Sequence, residues 1–93
     1  MSSYIITDYT RKRAKEIGVE VKPSKMKHKK IAVFKDNKKI ADIGDTDYFD
    51  YPTYVEKVSK TVADERQRLY YIRHAKDIIK PYSPGWLAAK LLW

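Results

Sequence analysis

An α+β fold is predicted by three features of the chain: two short apolar segments flanking Asp36-Asn37, an apolar stripe at helical spacing after Asp50, and a proline-led apolar stretch from Ser83 to Trp93. A hairpin is not stable alone in water, so helices must cover its apolar face. The expected architecture is a short β-hairpin packed against a long helix and a C-terminal helix, preceded by a basic N-terminal helix. Residues 1–93 read as a single small basic domain, because that length supplies one core and not two.

The first helix begins at Thr7 or Asp8, whose side-chain oxygens accept free first-turn amides, runs through Arg11, Lys12, Arg13, Ala14 and Lys15 to Ile17, and stops at Gly18. Residues 19–30 contain Pro23 and five lysines with no apolar period, and are read as a mobile basic loop. Ile31 and Val33, then Ile40 and Ile43, frame strands Lys30 to Phe34 and Lys39 to Ile43 around a tight Asp36-Asn37 turn. The acidic run Asp45 to Asp50 is a loop. Asp50 and Pro52 then open the longest helix, with Tyr51, Val55, Val58, Val62, Leu69 and Ile72 along one stripe, an end near Ala75 and an interruption foreseen near Lys60. Ser83-Pro84 starts the last helix, whose Trp86, Leu87, Leu91, Leu92 and Trp93 are expected to dock on the core, since left exposed they would form an aggregation-prone patch.

The chain has no cysteine, which removes disulfides, thiolate zinc sites and cysteine nucleophiles. It shows neither a secretory leader nor an apolar run of membrane-spanning length, so the expectation is a soluble intracellular protein with no membrane partner. Its formal charge is +8, a field that favours polyanions through counterion release. Most of it arises between residues 10 and 41, where twelve Lys or Arg face Glu16, Glu20 and Asp36; Asp42, Asp45, Asp47 and Asp50 then reverse the sign.

Three groups of residues carry candidate chemistry. Arg11, Lys12, Arg13 and Lys15, followed by Lys22, Lys25, Lys27, Lys29 and Lys30, can track a phosphate backbone without reading bases. Arg66, Tyr70 and Arg73 fall at i, i+4 and i+7 on one helix face, where guanidiniums can grip phosphates and the tyrosine can stack on a base. The competing reading makes these structural, with Arg73 tied to a carboxylate of the 42–50 loop. His74 has the chemistry of a general base, yet no nucleophile or metal ligand can be named beside it. The four aspartates of the loop have oxygen ligands that suit a divalent cation, but not the calcium-loop spacing. No catalytic residue, metal site or cofactor is assigned.

The segments Lys30-Ile-Ala-Val-Phe34, Ile43-Gly-Asp45, Glu65-Arg-Gln-Arg68, Tyr71-Ile-Arg-His74 and Pro84-Gly-Trp-Leu87, leading to Leu91-Leu-Trp93, together resemble a family of small basic proteins encoded by large DNA viruses, including those of algae. The resemblance covers roughly residues 10–93. It implies a viral setting and genome- or virion-associated work, and brings neither an activity nor a cofactor. The expected function is therefore a nucleic-acid-binding accessory protein, with DNA the leading partner. The alternative is a virion structural protein that binds other virion proteins, and a metal-dependent nuclease comes third.

Overall fold

A computed structural model describes residues 4–93. The chain runs α1 (Asp8–Ile17), β1 (Glu20–Pro23), β2 (Lys29–Lys35), β3 (Lys38–Asp45), α2 (Tyr51–Lys57), α3 (Lys60–Arg73) and α4 (Pro84–Leu92). Its radius of gyration, 12.6 Å, is close to the ~12 Å of a compact chain of this length.

Thr7 is the cap of α1, its side chain accepting from the Thr10 amide at 3.2 Å, and Gly18 ends the helix in the left-handed region at φ 76°. The three strands form an antiparallel sheet in the order β1-β2-β3. Asp36 and Asn37 both take positive φ, 52° and 66°, as the tight hairpin turn demands. Cross-strand register sets Val21 opposite Val33, Val33 opposite Ala41 and Ile31 opposite Ile43, so these apolar side chains share one face.

The expected mobile loop at 19–30 is corrected here. Its first half is β1, paired with β2 from Glu20 to Pro23. The connection is tied down as well: the Ser24 amide donates to the Lys30 carbonyl at 3.0 Å, the Ser24 hydroxyl to Asp42 at 2.7 Å and the Thr46 amide to the His28 carbonyl at 3.2 Å. A strand with one apolar residue, two charges and a terminal proline has no alternating pattern to betray it. Those are the features that guard a sheet edge against unwanted pairing.

The long helix is interrupted where the sequence foresaw it, next to Lys60. It breaks at Val58-Ser59, because the Ser59 side chain accepts from the Val62 amide at 3.1 Å and caps a new helix. The helix ends at Arg73, short of Ala75. The break changes the phase of the expected stripe, leaving Val55, Val58 and Ile72 exposed at 41, 52 and 63%. Val62 and Leu69 of that stripe stay half-buried, and the inward side of α3 also takes in Ala63, Gln67, Tyr70 and Tyr71, with His74 at its cap.

The core lies where α1 and α4 meet the sheet, and gathers Ile6, Ala14, Val19, Ile31, Val33, Ile43, Leu87, Leu91 and Leu92. Each fully buried leucine there contributes about 1.5–3 kcal/mol of transfer free energy. Ser83 caps α4 by accepting from Trp86, and the helix docks as expected, with Trp86 and Trp93 packed on the margin of the core. Its C-terminal carbonyls, which a helix cannot satisfy internally, are taken up by side chains from elsewhere. Tyr71 donates to Ala89 at 3.0 Å, Arg13 to Lys90, the buried Thr10 hydroxyl to Leu91 at 2.8 Å and Gln67 to Trp93 at 2.5 Å. Gly85 lets this helix lie against the Asp77 backbone, which a Cβ would strike.

Candidate nucleic-acid interface

The connection from β3 to α2 returns the chain over Lys30, and the contacts there decide what the neighbouring surface offers. Lys30 is 5% exposed and Asp50 is 1% exposed. The Lys30 ammonium donates to Asp50 at 3.1 Å and to the Tyr48 carbonyl at 2.6 Å, while Asp50 also accepts from the Tyr4 hydroxyl at 2.6 Å and from the Thr53 amide and hydroxyl at 3.0 and 2.6 Å. Asp50 therefore caps α2 and neutralises the lysine at once. Burial, reinforced by the Asp50 carboxylate, holds the Tyr4 phenol protonated well above its usual range. Gly44, at φ 82°, permits this closure, because a Cβ would press on Leu92 at 2.8 Å and on Lys30 at 3.1 Å.

Beside this network is a cleft of about 520 Å³. One wall is the end of the hairpin and the following connection, with Lys29, Gly44, Asp45, Tyr48 and Phe49; the other is α2 and α3, with Tyr54, Arg66, Leu69, Tyr70, Arg73 and His74. Ala88, Leu92 and Trp93 close it from α4. The predicted face Arg66, Tyr70 and Arg73 thus exists as a face, and folding sets it across from Lys29, 37 residues away from Arg66 in the chain. Among the described residues none of Lys29, Arg66 and Arg73 has a carboxylate within ion-pairing distance. Arg66 lies 5.8 Å from the centroid of the Tyr54 ring.

The expected tie from Arg73 to the 42–50 loop is absent among the described residues, and three of that loop's four acids are engaged locally. Asp42 pairs with Lys39 at 2.8 Å and accepts from Ser24, contacts that hold its carboxyl below the usual range. Asp45 accepts from the Asp47 amide at 2.8 Å, and Asp50 is committed to Lys30. Among the described residues no three His, Asp or Glu side chains gather as metal ligands.

Tyr70 also has a different part from the one expected. Its ring is stacked on Trp93 at 4.7 Å with 9° between planes, and His74 lies 4.4 Å away. A ring so occupied serves as packing and not as a platform for a base. Its hydroxyl stays a neutral donor, since burial, with Tyr71 and Asp77 adding to it, pushes the phenol up to about 12. His74 places Nδ1 3.0 Å from Asp77 and belongs to the same packing.

The remaining predicted residues are dispersed. Arg11, Lys12 and Lys15 are exposed on α1, and Arg13 is committed to capping α4 while lying 5.1 Å from the Tyr9 ring. Lys22, Lys25 and Lys27 are exposed on β1 and the connection after it, with Lys22 over the Phe34 ring. None of these seven lines the cleft. Lys30, expected to touch phosphate, has its charge neutralised in the interior. Sequence reasoning missed Tyr48, Phe49, Tyr54 and Trp93 as cleft residues. The aromatic density of Tyr48-Phe49-Asp50-Tyr51 was the available signal.

Among the described residues no helix is long and apolar enough to cross a membrane. The chain matches no family model, no curated protein and no solved structure.

Proposed function

We propose that this protein binds nucleic acid, chiefly through its phosphates, with the cleft between the sheet and α3 as the principal contact and the lysines of α1 and the β1–β2 connection as an auxiliary basic surface. The observation that carries this reading is the convergence of Lys29, Arg66 and Arg73, three cations without carboxylate partners among the described residues, on one concave surface. Uncompensated guanidiniums at a cleft suit bidentate contacts to phosphate. The resemblance of residues 10–93 to basic proteins of large DNA viruses suggests the setting, work on a viral genome with DNA as the leading partner.

A second reading, a virion protein that binds other proteins, is favoured by the exposed Val55, Val58 and Ile72. A salt series separates the two. Binding to DNA should weaken steeply with salt and show little sequence preference, with a slope of about 0.9 per phosphate contact on duplex. Arg66→Gln with Arg73→Gln should flatten that slope by nearly two contacts, while Lys25→Gln with Lys27→Gln should flatten it less. Absence of binding at low salt would remove the first reading.

A further inference from the structure

We infer that the cleft accepts an unpaired base of a single-stranded nucleic acid, with the flanking phosphates held by Lys29, Arg66 and Arg73. The inference rests on the nucleic-acid reading above and narrows it to a strand type. Phosphate binding alone requires only a basic surface, as on α1. This cleft has in addition an apolar and aromatic interior, built from Tyr54, Leu69, Ala88, Leu92 and Trp93. A phosphate backbone has no use for such a lining, and an apolar peptide has none for three uncompensated cations. A ligand with a flat aromatic ring and adjacent negative charges satisfies both, and the volume of about 520 Å³ lies within the range of small-ligand sites, about 300–1,000 Å³.

The spacing of charge favours a strand over a free nucleotide. Arg66 and Arg73 are seven residues apart on one face of α3, which sets their backbones about 10.5 Å apart along the axis, so that each guanidinium can hold a different phosphate of one chain. Both arginines stand on the helical wall, whereas Asp45 stands on the sheet wall. Asp45 is the cross-strand neighbour of Lys29, so that wall offers a carboxylate that can accept from a ring N–H of a base beside an ammonium that can meet a phosphate. Tyr70 supplies a neutral hydroxyl donor on the arginine wall. A base inside a duplex is stacked and paired, so it cannot enter without being extruded at a cost of a few kcal/mol.

The test compares three labelled nucleic-acid probes and one labelled peptide on the intact protein by fluorescence anisotropy at fixed low salt: a twelve-residue oligothymidylate, an abasic deoxyribose-phosphate chain of the same length, a duplex of that length, which should bind no more tightly than the abasic chain, and a polyglutamate. Oligothymidylate should bind at least about tenfold more tightly than the abasic chain, the scale of one base stacked on protein aromatics. Tyr54→Ala should bring the ratio of the two affinities close to one. In a Trp86→Phe background Trp93 is the remaining tryptophan, and its emission should be quenched by oligothymidylate and not by the abasic chain. Equal affinity for the two single strands without quenching overturns the inference and leaves phosphate binding standing. Failure of all three nucleic-acid probes to bind removes the nucleic-acid reading itself. Equal binding and quenching by a polyglutamate of the same charge overturns the inference in favour of an acidic protein segment.

Discussion

The sheet with α1 and α4 and the helix pair α2–α3 are two regions held by different physics. In the first, Ile31, Val33, Leu87 and Leu91 are completely buried, and stability comes from apolar surface removed from water. In the second, Ala63 alone is buried within a helix. The pair is fastened to α4 through polar-tipped side chains: Tyr71 and Gln67 bonded to its carbonyls, and Tyr70 stacked on Trp93. A seam made this way does not close into a core. Its aromatic faces remain around an open cleft beside Arg66 and Arg73, which have no carboxylate partner among the described residues.

The strongest disturbance of this division should come at the junction. Asp50→Ala deletes the cap of α2 and leaves Lys30 buried without its counter-charge, so unfolding by denaturant should show a loss of about 3–5 kcal/mol. Within the apolar region, Leu91→Ala should cost about 2–5 kcal/mol, and a loss below that range would mean the core is less consolidated than its burial implies.

The seam itself is probed more gently. Tyr71→Phe and Gln67→Ala should each cost about 1 kcal/mol. Amide exchange in α3 should quicken in both variants before that of β2 changes; simultaneous loss of protection would show that the two regions unfold as one unit.

Alkali tests the same boundary. Tyr70 titrates higher folded than unfolded, so its contribution is intact below the unfolded tyrosine value of 10.0 and is lost as pH rises toward about 12. Tyr4 is shifted in the same direction at the junction. Spectrophotometric titration should find Tyr4 and Tyr70 among the last tyrosines to ionise, and Tyr70→Phe should remove one late-ionising group. The smallest effect belongs to Ile72→Ser, an exposed position on α3, where the change should stay within about 0.5 kcal/mol. A larger loss would place Ile72 in a contact that its 63% exposure does not suggest.

The two regions also differ in how far they can be read from sequence. α1, the hairpin and α4 follow from local signals: a threonine cap and glycine stop, an Asp-Asn turn between apolar segments, and a serine-proline start. In α2–α3 the apolar stripe misled in part: Tyr51, Val62 and Leu69 are half-buried, but Val55, Val58 and Ile72 are exposed, and Gln67, Tyr70, Tyr71 and His74 take inward places that hydropathy did not assign. Long amphipathic side chains bury their bodies and keep their polar ends bonded, so hydropathy ranks them below the valines they displace. β1 was hidden for a related reason, since an edge strand needs few apolar residues when β2 supplies the pairing.

From the sequence alone follow the α+β class, the basic character, and Arg66, Tyr70 and Arg73 as one helix face, because caps, turns and helical spacing act over a few residues. Only the tertiary structure decided which charges are free. Lys30 disappears into a pair with Asp50, Arg13 into the end of α4, and Tyr70 into a stack with Trp93, while Lys29, Arg66 and Arg73 meet across a cleft. Whether a cation is neutralised depends on what long-range folding brings within a few ångströms of it, and composition holds no record of that distance.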